Sequence, residues 1–424
     1  MRAWPPRGRR SWGLPALLLL LASGLAAAGG RARAGGTLAV GVVARVLEED
    51  PLLADAPTDA AALLLASTPL CRLAELSRPA PGSLRLTLAP AVPPALAVAA
   101  LRRVAAASSP YRSLLAGVTR IAEVGRTVEV AGAPVDLERA LCHPAFALKV
   151  GPFRAEGGAL VAAPDFPEGR PWVDAVAVTV AEARTAERLL AQRRLQVVLG
   201  SAQADDAPQL FILTLVLPAP LAPHLRQALD ATVDRADLVR FFLRAPAAPL
   251  PGLLPPALGG PTASLARGAR PTPLAPPIAV TVLFEAEADE QRAIAERLQV
   301  KLQPLGYRVA LKGLSRRELQ ARPPGAAELK LAALLLPPSP AGALAVLADV
   351  AGQAERVPAL QQALAAAGDP DARARELALG LTSELLLWPV ATRGLGVTTS
   401  RDVQHLTRDA LGLPRLDDAF LSPE

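Results

Sequence analysis

Residues 210–243 constrain the fold more than any other part of the sequence. Residues 210–217 are almost continuously aliphatic, which is typical of a strand buried on both faces. Three prolines follow: Pro218, Pro220 and Pro223. Each fixes φ and removes a backbone donor, so the strand cannot continue, and apolar residues at every fourth position from Leu225 then predict an amphipathic helix. A core strand that leads through prolines into a new helix indicates a chain that crosses between two lobes.

The first 34 residues have the pattern of a secretory signal. Four arginines lie near the amino terminus: Arg2, Arg7, Arg9 and Arg10. The apolar run at 14–28 is short for a membrane span, and small residues at Ala32 and Ala34 precede a possible cleavage before Gly35. We predict a signal peptide at 1–34 and a periplasmic or secreted protein; an uncleaved membrane anchor is the alternative. The first cysteine is Cys71, so we expect no lipid anchor.

The charge balance argues against nucleic acid as a partner. The chain has 45 basic and 39 acidic residues. Six arginines and no acids lie within 1–34, so the remainder has 45 − 6 = 39 basic residues against 39 acidic ones. The basic excess therefore belongs to the predicted signal, and the exported chain has no net charge that would attract an anionic polymer.

Motifs for catalysis or metal binding are missing from the sequence. The three histidines have no other ligand type at a metal-binding spacing, and we find no nucleophile elbow, phosphate loop or dinucleotide-binding fingerprint. We therefore predict a protein that is not an enzyme and that has no cofactor. Two alternatives remain open: Cys142 and His143 could form a nucleophile pair, and Cys71 and Cys142 could be either a disulfide or two buried thiols.

The order of predicted elements indicates an α/β fold. Strands at 173–180 and 195–199 flank a helix at 182–192, and strands at 278–284 and 307–311 flank a helix at 289–305. Further helices are predicted at 113–121 and 400–411. Residues 329–336 are interpreted as another buried strand.

Several short motifs resemble the family 5 extracellular solute-binding proteins, the periplasmic receptors of oligopeptide, dipeptide and nickel ABC importers. The crossing helix has the family pattern "vRqAlxxAiDRxxlv" at these residues: Arg226, Gln227, Ala228, Leu229, Asp234, Arg235, Leu238 and Val239. Residues 143–174 match the family's "GTGPY" turn and "NxxYwxGxPxxD" run at these: Gly151, Pro152, Phe153, Pro164, Asp165, Phe166, Gly169, Pro171, Trp172 and Asp174.

The resemblance implies a two-lobed, periplasmic-binding-protein type II-like α/β fold with mixed sheets. The first lobe would be discontinuous, at 35–222 plus 388–424, with a reduced second-domain insert around 45–140. The second lobe would comprise 223–387.

By the same resemblance, the lobes would close on a small-molecule or peptide-like ligand and deliver it, as a monomer, to an ABC permease in the membrane. The family's "GWxxDyPDP" motif, whose acid can pair with a ligand's amino terminus, corresponds here to 331–340, with Ser339 where an Asp is expected. Ser339, Trp388 and Arg393 are the candidate ligand-binding residues. For Trp388 core packing is the alternative, and for Arg393 a solvated surface position. A second hypothesis is a solute-binding scaffold that has lost transport and acts as a periplasmic interaction or sensory protein.

Overall fold

The computed structural model describes residues 35–44, 48–157, 159–203, 206–244, 246–263, 269 and 271–422. The predicted signal peptide lies outside these residues. The helices are, in chain order, α1 Pro57–Ala66, α2 Leu70–Leu73, α3 Pro94–Ala105, α4 Leu137–Ala140, α5 Ala183–Ala191, α6 Ala222–Thr232, α7 Arg235–Phe242, α8 Asp289–Leu302, α9 Arg316–Ala321, α10 Pro340–Val350, α11 Val357–Ala365 and α12 Pro370–Leu381. Within the described part of the chain, no helix combines the length and the apolar character needed to cross a bilayer.

The first sheet is mixed and has six strands. Their spatial order is Val397–Thr399, Val197–Leu199, Thr37–Val43, Ala175–Ala181, Ala159–Ala162 and Phe153–Glu156. Thr37–Val43 pairs in parallel with both of its neighbours, and the remaining pairs are antiparallel. The helix predicted at 182–192 is α5, and it connects the parallel strands as expected for an α/β unit.

An antiparallel insert follows the first strand in the chain. Its sheet has the order Ala74–Ser77, Ser83–Leu88, Thr127–Ala131 and Arg120–Val124. The helix predicted at 113–121 was wrong: the chain makes a 3-10 turn at Arg112–Leu115 and then enters a strand. Gly117 lies between the two at a φ of +88°, a left-handed conformation that ends the helical path.

The second sheet is also mixed and contains the strand on which the crossing prediction rests. Its order is Ala247–Pro249, Leu387–Arg393, Phe211–Val216, Glu328–Leu335, Ile278–Glu285 and Tyr307–Leu314. All six residues of Phe211–Val216 are buried, as predicted. Alternate side chains explain this burial, because Leu213 and Leu215 pack in one apolar cluster while Ile212 and Val216 pack in the other.

The chain passes from the first sheet to the second between Leu199 and Phe211, and it returns between Arg393 and Val397. The lobe boundaries predicted at 222/223 and 387/388 would leave Phe211–Val216 and residues 388–393 outside the second lobe, whereas the structure places Phe211–Val216 and Leu387–Arg393 in the second sheet. Below, "first lobe" means the first sheet with the insert, and "second lobe" means the second sheet with its helices.

The carboxyl-terminal region consists of short strand pairs rather than the helix predicted at 400–411. Val403–Gln404 pairs with Phe420–Leu421, and Thr407–Arg408 pairs with Pro414–Arg415. The Asp409 carboxylate accepts hydrogen bonds from the backbone N–H groups of Leu411 and Leu413, both at 2.9 Å, and so favours a turn over a helix.

The two cysteines form a disulfide. Cys71 and Cys142 have Cα atoms 5.0 Å apart, and the disulfide connects α2 to the second residue after α4. His143 is buried and uses both ring nitrogens, since Nε2 donates to the Leu335 carbonyl at 2.9 Å and Nδ1 accepts from the Ala145 N–H at 3.1 Å. With its sulfur in a disulfide, Cys142 offers no thiolate, and the nucleophile pair considered from the sequence was wrong.

Candidate functional site

A cleft lies where the two lobes meet. On the first lobe it is bordered by residues 55–59, at the start of α1, and on the second by the end of strand Ile278–Glu285 and by α9. The start of α9 is well defined because Ser315 forms a capping box with Glu318: each side chain bonds the other residue's backbone N–H. This capped end holds Arg316 in the cleft.

Arg316 connects the lobes through four acceptors. Its guanidinium lies 2.6 Å from Asp59 Oδ2 and 3.5 Å from Asp55 Oδ1, both on the first lobe. It also contacts Glu285 Oε1 at 3.0 Å on the second lobe and donates to the Leu53 carbonyl at 3.3 Å. We call Arg316 and the three carboxylates the Arg316 cluster. All three acids are buried, so the cluster is a desolvated contact between lobes.

The Arg316 cluster has three acids for one cation, and the pKa values of its members show the imbalance. Burial raises the pKa of Asp55 to about 7, against the attraction of Arg316. Burial also raises the pKa values of Asp59 and Glu285, and the attraction of Arg316 offsets it only partly. Burial opposes the charge on Arg316, yet its acidic neighbours raise its pKa above the usual range. Near neutral pH the cluster therefore holds a proton that it can release.

The cluster divides the cleft into two chambers. One has a volume of about 270 Å³ and includes Lys330 in its wall; the other has about 200 Å³ and includes Arg393. We call them the Lys330 chamber and the Arg393 chamber. Asp55, Glu285 and Arg316 line both. A larger pocket of about 670 Å³, with a mainly apolar lining, lies beside α1 in the first lobe, but the cleft is where charged groups from both lobes converge.

The Lys330 chamber contains a buried ammonium group. Lys330 is 8% exposed, and its Nζ donates to the carbonyl oxygens of Gln320 at 3.3 Å and Arg322 at 3.1 Å. Burial lowers its pKa to about 8. Two arginines of this chamber form ion pairs: Arg112 with Asp349, and Arg322 with Glu328.

The Arg393 chamber lies beside the returning crossing and is predominantly acidic. Arg393 forms an ion pair with Glu290 at 2.9 Å. The residues that follow it, Gly394 and Gly396, also line the chamber. Six acids line the chamber: Asp55, Asp59, Glu285, Glu287, Asp289 and Glu290. Three arginines line it: Arg244, Arg316 and Arg393.

The structure does not bring the three predicted ligand-binding residues together. Arg393 lines a chamber, as described above. Ser339 is fully buried at the start of α10, where its Oγ donates to Asp136 Oδ2 at 2.6 Å and accepts from the Gly342 N–H at 3.0 Å. It is a helix cap that also contacts the first lobe.

Trp388 lies in the core of the second lobe, away from both chamber walls. It is 0% exposed, and its Nε1 donates to Asp230 Oδ1 at 2.8 Å. The Arg235 guanidinium stacks on the indole with a distance of 4.0 Å to the ring centroid. These contacts favour the packing alternative that the sequence left open for Trp388.

Sequence reasoning missed most of the charged residues of the site: Asp55, Asp59, Glu285, Arg316 and Lys330. One of them carried a local signal, because Lys330 interrupts the apolar strand ELKLAALL, where a charge is costly to bury. Among the described residues, no group of three or more His, Cys, Asp or Glu side chains could hold a metal ion.

Comparisons with known proteins found similarity in structure alone. No protein-family model and no curated protein matches the chain. Among solved structures, the binding protein AgaA of A. tumefaciens R10, in complex with agropinic acid, matches with a TM-score of 0.72 at 14% identity, covering 92% of this chain and 99% of that one.

Two further solved structures show the same likeness. DppA of Helicobacter pylori, in complex with the peptide STSA, has a TM-score of 0.71 at 13% identity, covering 92% of this chain and 98% of its own. NikA of Staphylococcus aureus, in complex with Ni(L-His)2, has a TM-score of 0.68 at 13% identity, covering 91% and 100%. At these identities the likeness concerns the fold. For the fold, it confirms the resemblance to family 5 proteins: the chain has the two-lobed α/β fold of the solute-binding proteins of ABC importers.

Proposed function

We propose that this chain is an exported solute-binding protein that captures a small ligand between its lobes and delivers it to an ABC permease. The observation that supports this most directly is the divided cleft, in which both lobes contribute buried charged groups to two chambers. Ligand sites in α/β proteins are concave and contain a few convergent polar groups. The cleft meets this description at the junction of the two lobes.

The finer parts of the proposal come from the family resemblance. The ligand would be a small molecule or a short peptide, the protein would act as a monomer in the periplasm or outside the cell, and residues 1–34 would be removed on export. Binding would be coupled to a hinge motion at the crossings near residues 200–210 and 394–396. Nucleic acid has no place in this function, because the exported chain has equal numbers of basic and acidic residues.

A thermal-shift screen tests the proposal. The exported form, residues 35–424, is melted with di- to pentapeptides, metal chelates and small polar and apolar solutes. A ligand that binds the folded state raises the melting temperature by mass action. We expect at least one class to do so in the wild type and in Arg317→Ala, but less in Arg316→Ala. Arg317 is the matched control because its side chain is 75% exposed and lines neither chamber.

A second candidate function is a scaffold that has lost transport, and the observation that favours it is the packing of α10. Residues 340–348 of this helix are all buried, and the helix packs against the 3-10 turn Arg112–Leu115 of the first lobe. We call this contact the α10 seam. The helix begins at the end of residues 331–340, the segment where the resemblance predicts an acidic ligand motif. A cooperative melt with no shift across the whole panel would support the scaffold and exclude solute capture.

A further inference from the structure

We propose that the Lys330 chamber binds a compact carboxylic acid that carries an amino or hydroxyl group beside its carboxylate. Lys330 holds the carboxylate, and the side-chain oxygen of Gln320 accepts a hydrogen bond from the second group. The inference rests on the proposed function and deepens it by naming the chemical class of the ligand.

The position of Lys330 in its strand argues for a ligand. Strand Glu328–Leu335 is central in the second sheet, between Phe211–Val216 and Ile278–Glu285. Leu329 and Leu331 belong to the apolar cluster on one face, and Lys330 projects from the other face into the chamber wall. Burying an apolar residue here would cost little free energy, whereas a buried ammonium group needs hydrogen-bond acceptors and a counter-charge to offset its lost hydration.

The compensation that Lys330 receives within the chain is incomplete. Its ammonium has three N–H donors, and the structure gives it two acceptors, the carbonyls of Gln320 and Arg322. Both carbonyls are neutral groups at the end of α9, whose dipole favours a cation but does not neutralise it. No carboxylate of the described residues forms an ion pair with Lys330. A ligand carboxylate would supply both a counter-charge and the third acceptor.

Gln320 provides an independent second observation in the same chamber. Its Nε2 donates to Asp55 Oδ2 at 3.0 Å, which fixes the orientation of the amide. Its Oε1 is buried and has no hydrogen-bond partner among the described groups. An orphaned acceptor costs free energy that a ligand N–H or O–H would recover. The chamber thus lacks both an anion and a donor.

The size and the remaining charges of the chamber limit the ligand further. The volume of about 270 Å³ is below the range of roughly 300–1,000 Å³ for drug-sized ligands, so an amino-acid-sized molecule fits better than an oligopeptide. The three arginines of the chamber are already paired: Arg112 with Asp349, Arg322 with Glu328, and Arg316 with the carboxylates of its cluster. Lys330 is therefore the cation available for a new carboxylate.

The test measures the binding of four small probes to the exported wild-type protein: L-alanine, L-lactate, propionate and L-alaninamide. Titration calorimetry and thermal shift should show that alanine and lactate bind best. Propionate should bind more weakly because it lacks the donor for Gln320, and alaninamide should not bind because it lacks the carboxylate. This comparison requires no variant, so a folding defect cannot obscure it.

Variants then assign the two groups. Lys330→Met should lower the affinity for alanine and lactate by at least roughly tenfold, the size expected for a charge-assisted hydrogen bond. Lys330→Arg should retain part of this affinity. Lys312→Met is the control, because Lys312 is exposed on the edge strand Tyr307–Leu314. Gln320→Leu should lower the affinity for alanine and lactate to that for propionate, and it should leave the affinity for propionate unchanged.

Several outcomes overturn the inference. Equal affinity for alanine and alaninamide, or undiminished affinity in Lys330→Met, would show that Lys330 does not bind the carboxylate and only caps the end of α9. If none of the acids bound but a peptide or chelate did, the chemical class would be wrong while the proposed function stood. If no solute of any class bound, both would fall.

Discussion

The Arg316 cluster and the α10 seam both join the lobes, and they do so by opposite means. The cluster consists of one guanidinium and three buried carboxylates. The seam consists of a helix whose residues 340–348 are buried among apolar side chains, with polar contacts such as Arg112–Asp349 at its edge. The energy of the seam comes from apolar area and does not depend on pH, whereas the energy of the cluster depends on its protonation state. A charged contact can respond to solutes and protons, and an apolar contact gives stability without that response.

The largest expected effect comes from the seam. Leu344 is fully buried in the middle of α10, so Leu344→Ala should lower the free energy of unfolding by about 2–5 kcal/mol through lost burial and a new cavity. Urea denaturation of the two proteins measures this difference. Leu379→Ala on α12 is the control, because that leucine is 68% exposed and should change stability little. Equal effects of the two substitutions would show that the seam is not a tightly packed contact.

The next effect separates the cluster from the seam by its pH dependence. Burial raises the pKa of Asp55 from 3.8 to about 7, so between these values the folded protein binds more protons than the unfolded chain. Its contribution to stability is therefore present at low pH and is lost as the pH rises through about 7. Asp55→Asn resembles the protonated acid, and it should gain stability relative to the wild type over this range.

The relative gain of Asp55→Asn should be at most about 4 kcal/mol, from 1.36 kcal/mol per pKa unit over roughly three units. Denaturant unfolding at several pH values between 4 and 8 measures it, and the difference between the two proteins cancels the contributions of the other acids. Leu344→Ala provides the contrast, since its effect should be the same at every pH. Parallel pH profiles for Asp55→Asn and the wild type would contradict a buried, proton-sharing cluster.

Elements with a strong local pattern were predictable from the sequence. The helix expected at 289–305 is α8 followed by a 3-10 turn at Gln303–Leu305, and Gly306 ends it at a φ of +84°. The uninterrupted aliphatic run at 210–217 identified the central strand Phe211–Val216. In both cases the neighbours that determine the structure lie within a few residues, so the sequence contains the necessary information.

The site was not predictable in the same way, because its groups come from distant parts of the chain. Arg316 and Asp59 are separated by 257 positions, and no spacing rule relates them. The start of α10 is different: no helix was predicted there, although Ser339 followed by Pro340 is a strong helix-start signal. The resemblance to family 5 proteins placed an acidic ligand motif at residues 331–340 and directed attention to Ser339 as a binding residue instead of a cap.

The smallest expected effect tests that reassignment. Ser339→Ala removes the cap of α10 and the hydroxyl that donates to Asp136, and it should lower stability by about 1 kcal/mol or somewhat more. Ser315→Ala is the matched control, because Ser315 also caps a helix but is exposed, so water can replace its hydroxyl. Since Ser339 lines neither chamber, the solutes bound by the wild type should bind Ser339→Ala with unchanged affinity in calorimetry. A marked loss of affinity in a variant of near-native stability would return Ser339 to the binding site and would make the α10 seam, not the Arg316 cluster, the place where solutes are recognised.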